Sequence, residues 1–559
     1  MERHRGAVSH PALAAIDRGG RRSPNHLRRT LVISLAAPAV VFITMFYAWP
    51  VVTLVTHAFT ADAVRTVLHD TAIHRVIWFT AWQAALSTLL TVAVGLIPAY
   101  LLARYEFVGR RSLTALVTVP FVLPTVVVGA AFLALLPDSL DQSVTAIVMA
   151  HVFFNIAVVV RGVGGLWEQL PAGLTAAART LGASPLRTLR EVTLPLLAPA
   201  IYASASIVFL FTFTSFGVVR LLGGAAHPTL EVEIWQRATR LGDVSVAAVL
   251  SVTQLIVLGV AVAWFARMQG HRRRALGLAP LTQRQRPRAR RQRVFVRLTA
   301  AAMVVAIGAP LVALFEHSLR TGEGHSFAAW RSVFGDDIST SARPSPNPGL
   351  DAFASITTSL RIAVVATLIS VVIGGCATLA ITALGRSGRL LDTGLMLPLA
   401  TSAVTIGFGL LITFNRAPFD WRGSALMIPL GHALVATPFV VRIVLPVLRS
   451  VDPRLRDAAA TLGARPERAW REIDVRIAAR PLLTGAGFAF AISLGEFGAT
   501  SFLTRSGRET LPIAIERLLN RPGALLHAQG YVLATVLAVL TFVVIGAVEA
   551  IRVEGRTNA

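Results

Sequence analysis

Twelve long, mostly apolar stretches recur along the 559-residue chain. A helix needs roughly 20 such residues to cross the hydrocarbon of a bilayer, because every backbone N–H and C=O must be paired within the segment there. The first half carries them at 31–59, 76–103, 113–136, 144–163, 196–222 and 244–265, and the second at 298–315, 356–384, 390–414, 426–448, 482–503 and 530–551. With 54% hydrophobic and 15% charged residues and a mean hydropathy of +0.64, the chain holds far more apolar side chain than a soluble core of its size uses. The expectation is an all-α polytopic membrane protein of about twelve transmembrane helices.

The formal net charge of +24 is carried by arginine, since the chain contains no lysine. Arginines gather on alternate connections: the N-terminal segment, 104–111, 161–190, 272–297, 386–389, 449–480 and the C-terminal tail. The intervening connections mix in acids, among them Asp138, Asp141, Glu231, Glu233, Asp336 and Asp337. By the positive-inside bias, the arginine-rich loops and both termini are cytoplasmic, and the charge sets topology rather than binding nucleic acid. The apolar run after the basic segment lacks a small-residue cleavage site and reads as a retained first helix. Cys376 is the only cysteine, which excludes a disulfide within the chain and a thiolate cluster and leaves it a small packing residue.

The chain also contains itself twice. Thr180-Leu181-Gly182-Ala183 recurs 281 positions later as Thr461-Leu462-Gly463-Ala464. The same offset pairs His151 with His432, Arg161 with Arg442, Arg190-Glu191 with Arg471-Glu472, Phe216-Gly217 with Phe497-Gly498, and Thr229-Leu230 with Thr510-Leu511. Upstream the offset is 278, pairing Pro120 with Pro398 and Gly129 with Gly407, so three extra residues sit in the 415–421 loop. Six crossings return the chain to its starting side, so the two halves are parallel repeats about an axis along the membrane normal. The expected organisation is a basic tail at 1–30, a first lobe at 31–269, an arginine-rich linker at 270–297, a second lobe at 298–551 and a tail at 552–559. The linker reads as a topology determinant against anionic headgroups.

In both repeats the connection between the fourth and fifth spans reads helix, glycine, helix. Asp452 precedes Pro453 as a cap before a first-turn proline, Leu455, Ala458, Ala459 and Leu462 share a face, and Gly463 ends the helix. Pro171, Leu174, Ala177, Ala178, Leu181 and Gly182 repeat the device, and Ser184-Pro185 and Arg465-Pro466 open a second short helix. Small alanines admit close approach by another surface; a bilayer-lying amphipathic helix would carry larger apolar anchors.

With these residues in view, the chain resembles the permease subunits of binding-protein-dependent ABC importers. Their loop signature, Glu-Ala-Ala followed three residues later by Gly, reads here as Ala176-Ala177-Ala178 with Gly182 and as Asp457-Ala458-Ala459 with Gly463. The acidic position is lost in the first copy and shortened in the second, and the closing Leu194-Pro195 of the first is Val475-Arg476 in the second. The resemblance spans 31–551 and implies a type I importer permease fold. It also implies two coupling helices, two copies of a cytoplasmic ABC ATPase subunit, an extracytoplasmic solute-binding protein and a place in the bacterial inner membrane. The fused layout is similar to the thiamine and ferric-iron uptake branch. The runs 213–219, 222–224 and 229–232 look most like the thiamine type, with ferric iron second.

A nucleotide-binding P-loop needs a lysine, so a chain without one draws ATP-derived energy from another subunit and is not expected to be an enzyme or to carry a cofactor. Charged groups inside apolar spans mark candidate pathway positions. Glu496 in the eleventh span and its counterpart Ser215 in the fifth are the two chosen, to guide a cationic solute; the other readings of Glu496 are a buried structural pair with an arginine or a place close to the outer interface. Arg220 is expected to snorkel to the headgroups, Tyr47, Trp49, Trp78 and Trp82 to form an interfacial belt, and His151 and His432 to pack helices. An ion-coupled secondary transporter is the alternative, but it gives the repeated loop no role. A membrane-embedded enzyme would need a catalytic cluster that the spans lack.

Overall fold

A computed structural model describes residues 24–271, 284–322, 324–335, 351–385, 387–415, 419–421, 423–505 and 507–557. Most of the N-terminal tail, the linker arginines at 272–274, the acids at 336 and 337, Arg386 and positions 416–418 of the loop that holds the insertion lie outside the described residues.

Among the described residues ten helices are long and apolar enough to cross a membrane, and two bent pairs bring the total to twelve when each pair is one span. The bent pairs are the third and ninth apolar runs, whose sequence pattern gave no sign of a break. Arg110–Val122 meets Thr125–Leu135 at 104°, and Gly388–Ala400 meets Ala403–Thr413 at 99°. Pro124, which has no N–H to donate, stands at the first break, and Ser402 caps the new helix at the second. At 1.5 Å per residue, an arm of 11 residues reaches only about 17 Å.

The fifth and eleventh spans are broken too. Pro185–Phe213 stops before a short turn and the helix Gly217–Leu222, and Trp470–Gly495 stops before Thr500–Leu503. Each is followed by a short helix that the apolar pattern did not announce, Leu230–Gln236 and Leu511–Leu519. Glu231, expected in an exposed outer connection, lies on the first of these and is fully buried.

The first span of each half leans on the other half. Phe42 and Phe46 pack with Ile406, Leu410 and Phe414, and Ala39 packs with Ala377 and Ile381. The Tyr47 hydroxyl meets Thr401 Oγ1 at 2.5 Å. In the other direction Val296, Met303, Ile307 and Leu314, on the helix Arg290–Leu319, belong to the same core as Leu113, Val117 and Ala131 of the first half. This exchange interlocks the repeats.

The described end of the linker is pinned to protein. Gln285 N–H donates to the Arg104 carbonyl at 2.9 Å and Glu106 N–H to the Gln285 carbonyl at 3.1 Å. Arg284 pairs with Glu168 at 3.2 Å, and Arg110 reaches the same carboxylate at 2.9 Å.

Arg220 also departs from expectation. Rather than reaching to headgroups, it crosses the lobe boundary to Glu516 at 2.8 Å, with side-chain exposures of 13% and 12%, and lies 4.4 Å over the Trp235 ring. The repeat offset maps Arg220 to Ser501 and Trp235 to Glu516, so the matching contact is neutral, with Trp235 Nε1 donating to the Ser501 carbonyl at 3.4 Å. Breaking a buried pair on one side costs about 3 kcal/mol because the other charge is stranded. Glu516→Leu is expected to lower the melting temperature of the solubilised chain, and Arg220→Glu with Glu516→Arg to recover most of it. Equal melting of all three variants would show that the pair does not hold the lobes.

Candidate functional site

Where the breaks of the two lobes face one another, they enclose a cavity of about 290 Å³. Its walls come from both bent spans (Leu123, Pro124, Thr401, Ser402) and from the turns that end the fifth and eleventh spans (214–217 and 495–498). Backbone can leave helical geometry at membrane depth only where it is buried in protein or lines such a space. Phe216 and Phe497, equivalent by the repeat, meet across the wall with ring centroids 5.0 Å apart and planes 30° apart.

Both candidate pathway residues line this cavity, Ser215 from the first lobe and Glu496 from the second. Ser215 is buried, and its carbonyl accepts from Thr229 Oγ1 at 3.5 Å. The Glu496 carboxylate is held by its own chain. It accepts the N–H groups of Ala499 and Thr500, both at 3.1 Å, and the Thr500 hydroxyl at 3.0 Å. It therefore closes the turn that restarts the helix at Thr500, where a negative group also complements the exposed N–H ends. Its partner is a helix N-terminus and not an arginine, and His432 Nε2 stands 3.6 Å away. Glu496 is the only carboxylate, and no arginine appears, among the described lining residues.

The matched histidines do pack helices. His432 joins Ser493 Oγ at 2.8 Å and Thr500 Oγ1 at 2.7 Å, and His151 joins Ser87 Oγ at 3.2 Å.

Sequence reasoning missed Glu231. Gln254 Nε2 donates to it at 2.5 Å and Ser402 Oγ at 2.8 Å, while the same Ser402 oxygen accepts from Val404 N–H at 3.1 Å. A carboxylate of the first lobe thus braces the break in the second lobe's bent span. The available signal was its setting, one position after the repeated Thr229-Leu230 pair and within the apolar run Leu230, Val232, Ile234.

The second part of the site is the pair of short helices Ala172–Thr180 and Pro453–Thr461. Each ends with the same hydrogen bonds. Ala183 N–H reaches the Ala178 carbonyl at 3.0 Å and Gly182 N–H the Arg179 carbonyl at 3.0 Å; Ala464 reaches Ala459 at 2.9 Å and Gly463 reaches Ala460 at 3.0 Å. This closure needs a left-handed residue, and Gly182 and Gly463 supply φ of +83° and +78°. A Cβ at either glycine would meet nothing, so the requirement is conformational, not spatial. Asp452 caps the second helix through Arg454 N–H at 2.9 Å. Ala176, Ala177, Asp457 and Ala458 are exposed, Ala178 and Ala459 half-buried, and Leu181 and Leu462 at the tips are each 89% exposed. The second helix is tied to the start of the eleventh span by Arg456 and Asp474, whose counterparts in the first lobe are Thr175 and Thr193.

A family model described as the binding-protein-dependent transport system inner membrane component matches residues 91–275 and 293–552, once in each half. The chain belongs to that family. It is the fused, two-lobe permease of a binding-protein-dependent ABC importer and a multi-pass inner-membrane protein, in a family that works with ATPase and solute-binding partners. This permease is 26% identical over 526 residues to the thiamine transport system permease protein ThiP of Salmonella typhimurium, covering 89% of this chain and 92% of that one. The corresponding protein of Escherichia coli is 25% identical over 562 residues, covering 94% and 95%. The sulfate transport system permease protein CysT of Salmonella typhimurium is 31% identical over 191 residues, 32% of this permease and 69% of that protein.

The tilted Phe216 and Phe497 rings meet between the lobes at the cavity wall. Replacing both by alanine is expected to raise ATP-independent dye efflux from liposomes holding the purified permease severalfold. Efflux equal to that of wild type would show that the rings do not seal the cavity.

Proposed function

We infer that this permease docks a separate ATPase subunit on each of its two short helices and passes a thiamine-class organic cation through the inter-lobe cavity. The observation that carries the docking half is the matched pair of exposed leucine tips. An apolar side chain held in water at one place in both repeats gains on being covered, by about 1.5–3 kcal/mol when fully buried. The exposed faces around Ala176, Ala177 and Ala458 let a partner's groove approach the backbone closely.

A chain with no lysine has no P-loop of its own, so closure of the two ATPase subunits supplies the motion. Each docked helix acts as a lever on its fifth or eleventh span, and the lobes rock about the cavity between inward and outward openings. Arg456 and Asp474 stiffen the second lever by tying it to the start of the eleventh span. In this arrangement the levers, the arginine-rich loops and both termini are cytoplasmic, and a solute-binding protein delivers cargo from the other side.

The substrate class rests on the names of the long-range relatives and on the cavity's chemistry. Among the described residues its charged lining is a single carboxylate, and Phe154, Phe211, Phe216, Phe439 and Phe497 contribute aromatic faces. Such a lining favours a flat organic cation over an anion such as sulfate.

Leu462→Asp is expected to cut uptake and ATPase co-purification at least tenfold with the melting temperature unchanged, since the tip touches little in the isolated chain. Retained co-purification would remove the docking role. A deletion strain is expected to fail on limiting thiamine and recover with the plasmid-borne gene; normal growth would reject the substrate.

A further inference from the structure

Equivalent histidines of the two lobes differ in one respect that their packing role does not explain. His432 uses both ring nitrogens, bonding Ser493 and Thr500. The repeat places Thr212 and Val219 at those positions in the first lobe. Val219 has no polar side-chain atom, and Thr212 donates its hydroxyl to the Val208 carbonyl at 2.9 Å. His151 is left with Ser87 on Nδ1, and its Nε2 has no hydrogen-bond partner among the described residues. One turn along the helix Val144–Gln169, Asn155 donates Nδ2 to the His151 carbonyl at 2.9 Å, while its Oδ1 has no partner among the described residues. The second lobe has Ala436 at that place. His151 is 2% exposed and Asn155 1%, and both line the inter-lobe cavity.

Two buried polar atoms without partners, four residues apart on one helix face, carry a free-energy cost that packing alone does not offset. The second lobe avoids that cost at the same two positions, by bonding the histidine twice and by using alanine.

We propose that His151 and Asn155 form a solute-recognition subsite on the first-lobe wall of the cavity, which hydrogen-bonds the amine-bearing edge of a flat heteroaromatic cation. The proposal rests on reading the cavity as the pathway of an organic cation. With the Ser87 hydroxyl donating to Nδ1, His151 Nε2 carries the hydrogen and donates, while Asn155 Oδ1 accepts. A donor beside an acceptor complements a ring nitrogen next to an exocyclic amine: the ring nitrogen accepts from Nε2–H and the amine donates to Oδ1. Phe154 and Phe211 offer apolar surface to the ring, and Glu496 faces the positive charge from the other lobe. Two hydrogen bonds orient the solute without trapping it, as a pathway requires.

Asn155→Leu tests this in the full transporter, with labelled thiamine as the probe. Uptake at saturating thiamine is expected to fall about tenfold. The melting temperature of the solubilised permease is expected to stay level or rise, because an unpaired buried polar group has been removed. His432→Leu, which strands Ser493, is expected to melt lower. Wild-type uptake in Asn155→Leu, or melting several degrees below wild type, would overturn the subsite. Absence of thiamine uptake in the wild type would reject the substrate assignment instead. The melting comparison would then still decide the subsite, with a lower value overturning it and a level or higher value supporting it.

Discussion

Backbone amides cannot stay unpaired in hydrocarbon, and that constraint dictates where the helices of this permease can break. Breaks occur at 123–124 and 401–402 in the bent spans and after Phe213 and Gly495 in the fifth and eleventh. All of them border the inter-lobe cavity. Several of the freed groups there are met from inside the protein. Ser402 caps the helix from Ala403, Glu231 of the opposite lobe braces Ser402, and Glu496 takes up the N–H groups of Ala499 and Thr500. The cavity and the irregular backbone are therefore one feature: the space gives the breaks a place, and the polar side chains that satisfy them become its lining.

Duplication supplies the frame and divergence supplies the chemistry. Phe216 and Phe497 keep the same role at the seam, and Gly182 and Gly463 keep the same left-handed closure. Around them the copies part company. Glu231 faces Pro512, Ser402 faces Pro124, Arg220 faces Ser501 and Ser215 faces Glu496 in the repeat register. A cavity on a strict twofold axis would offer a solute two identical walls. Here one wall carries a carboxylate and the other a histidine and an asparagine with unused hydrogen-bonding capacity. A solute that is itself charged at one end and polar at the other fits such a pair of walls better than it would fit two copies of either.

The parts legible beforehand share a physical basis. Apolar length announces a span because the bilayer has a fixed thickness, and an alanine-rich helix followed by glycine announces its own end because helix closure is local. Hence the number of spans, the parallel repeats and both short glycine-closed helices were readable. Arg220 was misread because its partner, Glu516, lies nearly three hundred positions away, and a lone arginine near a span end has the same local pattern whether it meets headgroups or a carboxylate. Glu231 was misplaced for the same reason, since its partners Gln254 and Ser402 come from another helix and another lobe. The linker arginine Arg284 resembled any headgroup-facing charge until Glu168 and Glu106 were seen beside it.

Sequence by itself determined the solvent, the twofold internal repeat, the absence of a nucleotide-binding lysine and the two glycine-closed helices, because each depends on composition or on contacts within a turn or two of chain. Tertiary structure alone decided the 104° and 99° bends, the exchange of first helices between lobes, and the meeting of Ser215, Glu496, His151 and Asn155 around one space. Those depend on which distant groups satisfy which broken backbone, and a linear pattern does not encode the partner's address.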